Sequence, residues 1–125
     1  MKKTIVVLFI VFTLLLMSVG CSSPEKDAIT AVNDYLNAIK EGRPTSSYKV
    51  HRELDDFVNV LAFKHLQTIS NNEVDSDNGR VREIALIYDV EHTNALGMKL
   101  YGKFGFLTRY DPTSQKFKVA VWTNR

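Results

Sequence analysis

The chain has 125 residues, a formal net charge of +2 and a single cysteine. A chain of this length can bury one modest hydrophobic core and has no room for a second domain. One cysteine excludes an internal disulfide, so the stability of the fold has to come from packing. The small net charge argues against a general nucleic-acid-binding protein, which needs a strong positive surplus.

The first twenty residues have the organisation of a secretory signal. Lys2 and Lys3 precede an uncharged apolar run that ends at small residues, the pattern of a signal peptide with its cleavage site. The end of the run, Ser18-Val19-Gly20-Cys21, resembles the lipobox of bacterial lipoproteins. The resemblance implies that residues 1–20 are a cleaved signal peptide. It also implies that Cys21 receives a diacylglyceryl group, with fatty acids such as palmitate, and that residues 21–24 form a short tether on the outer face of the cell membrane.

Two other interpretations of this segment remain open. The run from Thr4 to Gly20 approaches the about 17–25 residues that span a bilayer, so the segment could be an uncleaved anchor. An ordinary secretory signal cut near Gly20 would leave Cys21 as a free thiol. We expect the lipoprotein. The Ser-Ser-Pro sequence at 22–24 is typical of an exposed tether, which argues against Cys21 as a small buried hydrophobic residue. Two acyl chains would hold the protein firmly, whereas a single chain binds a membrane only marginally.

The charges of the remaining chain are unevenly distributed. Without residues 1–20 it carries 14 basic and 14 acidic residues, so its formal net charge is zero. Residues 21–92 contain 8 Lys and Arg against 13 Asp and Glu, whereas residues 93–125 contain 6 against 1. Such an asymmetry can orient a domain on an anionic surface. It can equally arise because the two halves contact each other in the fold.

The first part of the domain has the apolar spacing of helices. Ser22 and Glu25 match a capping box, and Lys40 with Gly42 is typical of a helix end. We therefore predict a helix that starts near Pro24 and buries one face, formed by Ala28, Ile29, Val32, Tyr35, Leu36 and Ile39. A Ser/Thr cluster at 45–47 can cap a second helix over residues 48–62, whose apolar positions are Leu54, Phe57, Val58 and Leu61.

The second part has the two-residue period of strands. Residues 63–70 are ambiguous between a longer helix and a first strand, and residues 71–79 are predicted to form a solvated loop or hairpin turn. Three strands joined by short turns then form an antiparallel meander, at about 83–90, 98–110 and 116–122. Gly102 and Gly105 suggest a bend or a bulge in the longest strand.

This layout resembles that of the NTF2-like, cystatin-like domains. The segment AVNDYLNAIKEG at 31–42 resembles the opening helix of many such domains, and KFKVAVW at 116–122 is similar to their last strand. The resemblance implies an α+β fold over residues 25–125, with N-terminal helices packed on a curved antiparallel sheet. Some members enclose a pocket or are enzymes, and many only bind a partner or a second copy. Small Gram-positive lipoproteins of this type include exclusion lipoproteins of conjugative elements.

The residues that could support catalysis form no recognisable motif. Cone-shaped domains of this class use an Asp/His pair or a lone Asp or Tyr, and the candidates are His51, His65, His92, Asp55, Asp56, Asp89, Tyr88 and Tyr110. No nucleophile elbow, zinc-protease motif, CxxC pair or glycine-rich phosphate loop is present. The histidines lack the spacing of zinc ligands, and the acidic loop at 71–79 lacks the ligand order of an EF-hand. We therefore expect no enzyme, no cofactor and no metal.

The strongest functional signal is a basic face on the predicted sheet. By the two-residue period Lys99, Tyr101, Lys103 and Arg109 share one face, and Lys116 and Lys118 can join it from the next strand. Such a face suits an anionic lipid surface, a wall polymer or an acidic protein, although it can also be an ordinary solvated face. We expect a non-catalytic module that contacts another envelope protein. Domains of this class also frequently pair, so a homodimer is a separate possibility. The alternatives are a small-ligand-binding pocket protein or weak enzyme, and a structural envelope component.

Overall fold

One helix packs on one four-stranded antiparallel sheet. The structure is a computed structural model that describes residues 23–77 and 79–125. Its elements are α1 (Pro24–Lys40), a 3-10 turn (Ser46–Tyr48), β1 (Asn59–Ser76), β2 (Gly79–Thr93), β3 (Lys99–Asp111) and β4 (Lys116–Asn124). The strand order β1-β2-β3-β4 leaves the sheet open, with β1 and β4 at its edges. The predicted α+β class is thereby confirmed, whereas the signal peptide, Cys21 and Ser22 lie outside the described residues.

Helix α1 has well-defined ends. Ser23 caps its N-terminus, where the backbone N–H of Lys26 donates to the Ser23 Oγ at 3.3 Å. At the other end Gly42 has φ +71°, and the backbone N–H of Arg43 donates to the Ala38 carbonyl at 2.8 Å. This is a Schellman motif, in which glycine adopts the left-handed conformation at no steric cost. The helix lies where the sequence predicts it. Within residues 23–77 and 79–125 no helix is long and apolar enough to cross a bilayer.

The hydrophobic core lies between α1 and one face of the sheet. In β2 and β3 alternate residues point at the helix, because successive side chains of a regular strand lie on opposite faces. Burying each large side chain contributes roughly 1.5–3 kcal/mol. The largest fully buried side chains of this core are Tyr35, Tyr88, Phe106, Leu36, Ile84, Leu86, Val32, Val60, Val90 and Val119.

The second predicted helix does not form. Only the 3-10 turn Ser46–Tyr48 is helical in this region, and β1 begins at Asn59. Strand β1 has three register irregularities against β2, which leave Leu61, Leu66 and Ile69 as extra residues. Each extra residue lengthens the spacing of the helix-facing positions from two to three. The helix-facing positions of β1 are Val60, Phe63, His65, Thr68 and Asn71. Three of the four apolar positions of the predicted helix, Leu54, Phe57 and Val58, lie before β1. The first bulge of β1 places Leu61 at a helix-like spacing from them.

Two further expectations about the strands are corrected. Residues 71–76 belong to β1 and pair with β2 as far as Ser76, so the predicted loop is reduced to a tight hairpin connection. The register between β2 and β3 is continuous through Gly102 and Gly105, so neither glycine marks a bulge. The one register shift between β3 and β4 comes from β4, where Ala120 is the extra residue between the partners of Leu107 and Thr108. Gly102 is instead covered by the ring of Phe104, whose Cε2 would lie 3.1 Å from an added Cβ.

Candidate interaction surface

The predicted basic residues share the face of the sheet that α1 does not cover. Lys99, Tyr101, Lys103 and Arg109 alternate with the helix-facing residues of β3, such as Phe104 and Phe106. Lys118 pairs with Arg109 across β3 and β4, and Lys116 pairs with Asp111. Directly paired residues of neighbouring strands lie on the same face. All six residues of the predicted surface therefore lie on this side, which we call the outer face.

These six residues form two separate groups. Lys99 and Arg109 are ten positions apart on β3, which corresponds to about 33 Å at about 3.3 Å per residue. Lys99, Tyr101 and Lys103 lie at the end of the sheet where β3 begins. Arg109, Lys116 and Lys118 lie at the opposite end, beside the β3–β4 turn. A partner of ordinary size could contact one group without touching the other.

Acidic residues neutralise three of the cations. Lys99 Nζ lies 3.2 Å from Glu91 Oε1, Arg109 Nη2 lies 3.0 Å from Glu83 Oε2, and Lys118 Nζ lies 3.0 Å from Asp111 Oδ2. The hydrogen bond from Lys118 lowers the pKa of the Asp111 carboxyl, and the hydrogen bond to Glu91 raises the pKa of Lys99. Two of these pairs join the acidic first part of the chain to its basic end. The uneven charge distribution therefore reflects, at least here, two halves of the chain in contact.

A groove of about 440 Å³ occupies the outer face at the first group. Its polar and aromatic lining consists of Lys64, Asp89, Glu91, Tyr101 and Lys103, beside the small residues Ala62 and Gly102. In the strand register Asp89 lies between Lys64 and Lys103, so a cation flanks it on each side. Neither lysine forms an ion pair within residues 23–77 and 79–125. The Tyr101 side chain is 73 % exposed at the rim.

The groove offers features that a protein partner can use. Tyrosine contributes a large amphipathic contact area, and such residues are enriched in binding surfaces. Two lysines against one free carboxylate leave a local positive surplus, since Glu91 is already paired with Lys99. A surplus of this kind attracts an acidic segment and sets its orientation. Ala62 and Lys64 were not among the predicted surface residues, because the sequence predicts a helix as far as residue 62 and leaves residues 63–70 ambiguous between a helix and a strand.

Asp56 is the centre of a polar cluster on the helix side of the molecule. Its carboxylate accepts hydrogen bonds from Tyr35 Oη at 2.8 Å, from Thr45 Oγ1 at 2.6 Å and from Lys49 Nζ at 3.2 Å. Lys49 also donates to the Leu54 carbonyl at 2.8 Å and is only 8 % exposed. Burial, with the added effect of Asp56, raises the pKa of Tyr35 above its ordinary range. Each of these polar side chains has a hydrogen-bond partner within the cluster. The cluster therefore stabilises the loop at residues 49–58 and presents no free reactive group.

The other catalytic candidates are dispersed. Asp89 lies on the outer face, whereas Tyr88 and His92 lie on the helix side, so Asp89 and His92 do not meet. Tyr88 Oη lies 2.7 Å from Asn33 Oδ1, and burial raises the Tyr88 pKa. The His65 ring lies 5.3 Å from the Tyr88 ring, centroid to centroid, and its Nε2 is buried with no hydrogen-bond partner in the described chain.

The remaining candidates are also accounted for by packing or exposure. His92 packs against Phe57 at 5.1 Å, and Tyr110 packs against Phe117 at 5.5 Å, centroid to centroid. Asp55 offers its backbone carbonyl to the indole N–H of Trp122 at 2.8 Å, and His51 is exposed. Among residues 23–77 and 79–125 no three His, Cys, Asp or Glu side chains converge in a way that could hold a metal ion.

No family model, no curated protein and no solved structure matches the chain. The function therefore has to be argued from the residues themselves. Of the surfaces described above, the outer-face groove combines an exposed aromatic ring, a recess and two lysines that have no ion-pair partner in the described part of the chain. The Asp56 cluster, by contrast, is closed by its own hydrogen bonds.

Proposed function

We propose that the protein is an extracytoplasmic lipoprotein, anchored to the outer face of the cell membrane through Cys21, whose domain binds another envelope protein without catalysis. The anchor is supported by the basic start, the apolar run and the Ser18-Val19-Gly20-Cys21 sequence. The anchor is also supported by the position at which the folded domain begins. Ser23 already caps α1, so the folded body starts two residues after the cysteine that would carry the lipid.

The outer-face groove is the proposed binding surface, and the observation that carries this proposal is its charge. Lys64 and Lys103 flank the groove and form no ion pair with any described residue, beside the exposed ring of Tyr101. A partner that presents an acidic segment complements this surface. Charged groups at a rim chiefly increase the association rate and set the orientation, and the tyrosine supplies contact area. The partner is accordingly an envelope protein with an acidic, extracytoplasmic segment.

The finer fold assignment and the biological process belong to the same proposal. A helix packed on a four-stranded antiparallel meander is consistent with the NTF2-like, cystatin-like class, whose members often act as binding modules.

We place the protein among the accessory or exclusion lipoproteins of conjugative elements, because it resembles them in size and type. Deleting the gene from recipient cells should then increase conjugative transfer into them, and unchanged transfer would remove the exclusion role.

Site-specific photo-crosslinking in intact membranes tests the binding surface. A photoreactive residue at Tyr101 should capture one partner, and Lys64→Glu with Lys103→Glu should lower the yield by about tenfold, a loss equivalent to about 1.4 kcal/mol. Lys40→Glu with Arg52→Glu is the matched control, because both side chains are exposed and the change in charge is the same. Equal yields from the two double variants would refute the groove as the binding surface.

A further inference from the structure

The free edge of β1 carries apolar side chains at two of its bulges. Leu66 and Ile69 are the extra residues of the register irregularities at 65–67 and 68–70, and they are 38 % and 43 % exposed. Strand β1 pairs with β2 alone in the described chain, so its other side is an open edge. Open edges are usually protected by charges or bulges. Here the bulges are present, but the residues in them are a leucine and an isoleucine.

The start of α1 lies against this same part of β1. Thr68, which sits between the two bulges, donates its Oγ1–H to Glu25 Oε1 at 2.9 Å. Glu25 is the second residue of the helix, directly after Pro24. The chain therefore enters the fold beside Leu66 and Ile69, at one edge of the sheet.

The length of the tether limits how far this edge can be from a lipid anchor. Pro24 lies three positions after Cys21, and a fully extended chain spans at most about 3.3–3.6 Å per residue. If Cys21 carries the lipid, Pro24 stays within about 11 Å of the membrane surface. A domain held so closely has to present one side to the bilayer, and the side nearest the tether is the β1 edge.

We propose that the edge of β1 at Leu66 and Ile69 rests on the lipid surface, with these two side chains in the headgroup region. This inference depends on the proposed lipid anchor at Cys21. The depth is limited to about 5–10 Å, the usual depth of interfacial side chains. The unpaired backbone groups of the edge need water, which the headgroup region offers and the hydrocarbon core does not. Lipid suits this edge better than a second strand, because the bulges interrupt the regular ladder that an added strand requires.

The arrangement would stand the sheet on its β1 edge. Neighbouring strands are about 4.8 Å apart, so β4 would lie about 14 Å farther from the bilayer than β1. The outer face, with Tyr101 and Lys103, would then be turned sideways along the membrane surface. A groove in that orientation meets a neighbouring membrane protein rather than a partner approaching from above.

Fluorescence quenching of the full lipidated chain on vesicles tests this orientation. Acylation blocks Cys21, so a single added cysteine at Leu66 or Ile69 can carry an environment-sensitive dye. The vesicles consist of phosphatidylglycerol and phosphatidylethanolamine with a spin-labelled lipid as the quencher. A dye at position 66 or 69 should be quenched at least about twofold more strongly than a dye at Val121, the control position, which lies on β4 and is 41 % exposed. Equal quenching at positions 66, 69 and 121 would overturn the proposal. A dye at position 66 that is protected from aqueous iodide but not quenched by the spin-labelled lipid would show that a protein covers the edge. That result would also overturn the proposal.

Two further measurements separate failure of the orientation from failure of the anchor and from misfolding. Mass spectrometry of the N-terminal peptide reports whether Cys21 is acylated, so an acylated chain with unquenched dyes contradicts the orientation alone. Absence of acylation contradicts the anchor. Amide hydrogen exchange on the chain without added cysteine should show slower exchange over residues 65–70 with vesicles than without. Unchanged exchange over these residues on bound vesicles would count against the orientation, whatever the labelled variants do.

Discussion

The Tyr35 hydroxyl donates a hydrogen bond to the Asp56 carboxylate at 2.8 Å, across 21 positions of the chain. Through this contact the middle of α1 holds the loop that precedes β1. The same carboxylate neutralises Lys49, which lies 3.2 Å away and is almost completely buried. One side chain thus satisfies a buried hydroxyl and a buried ammonium, which are both costly to leave without partners.

Replacement of Asp56 by alanine should lower the free energy of unfolding by about 3 kcal/mol. Removing Asp56 leaves the buried Lys49 ammonium without its counter-charge, and the loss is moderated because the Asp56 side chain is itself partly exposed. Urea unfolding measures the change. Asp55→Ala is the matched control, because it keeps the backbone carbonyl that accepts the Trp122 hydrogen bond and should change stability by no more than about 0.5 kcal/mol. Similar losses in the two variants would contradict the assigned role of Asp56.

Stability should fall as the pH rises above about 10. Burial raises the pKa of Tyr35 and Tyr88 above their ordinary value of about 10, so the folded chain keeps protons that the unfolded chain releases. The contribution of each raised tyrosine pKa to the free energy of unfolding is therefore complete below pH 10. Above pH 10 it is lost, by up to about 1.4 kcal/mol per pH unit for each tyrosine. Unfolding of Tyr35→Phe and Tyr88→Phe in urea, measured from pH 9 to 11, should show a shallower slope than the parent chain. Tyr101→Phe, at an exposed ring, is the control, and an equally shallow slope there would refute the explanation.

The two glycines of β3 should respond differently to alanine. A Cβ at Gly102 would lie 3.1 Å from Phe104 Cε2, and the Phe104 ring is held by Phe57 at 5.0 Å and Trp122 at 5.7 Å, centroid to centroid. Gly102→Ala should therefore destabilise the fold by about 1–2 kcal/mol.

Gly105→Ala is the control for that substitution. A Cβ at Gly105 would meet its nearest atom, the flexible Arg125 side chain, at an ordinary 3.5 Å. Gly105→Ala should leave the free energy of unfolding unchanged or raise it by about 0.4–1 kcal/mol, because alanine reduces the conformational entropy of the unfolded chain. Thermal unfolding of both variants measures the two changes in stability. A larger loss of stability in Gly105→Ala than in Gly102→Ala would contradict the packing described for Phe104.

The parts of the fold that follow a regular period could be predicted from the sequence. Helix α1 and strands β2, β3 and β4 lie close to where their apolar spacing places them. Strand β1 could be predicted only as an alternative to a longer helix over residues 63–70, because Leu61, Leu66 and Ile69 each add a residue to a bulge and turn a period of two into a period near three. A bulge depends on pairing with the neighbouring strand, and single-sequence periodicity contains no information about that pairing.

The candidate surface was only partly predictable for a related reason. Alternation along β3 correctly places Lys99, Tyr101 and Lys103 on one face. It gives no information about the strands that lie beside β3, so the neutralising carboxylate of Glu91 and the second flank of the groove at Lys64 were not predicted. Tertiary pairing decides which cations of a basic stripe remain available to a partner.

Mass spectrometry of the mature N-terminus, taken from the membrane fraction of the native cell, tests the anchor most directly. We predict a chain that begins at Cys21 and carries a diacylglyceryl group, and a Cys21→Ala variant that incorporates no labelled fatty acid. An unmodified Cys21 in a chain recovered from the aqueous fraction would contradict the account.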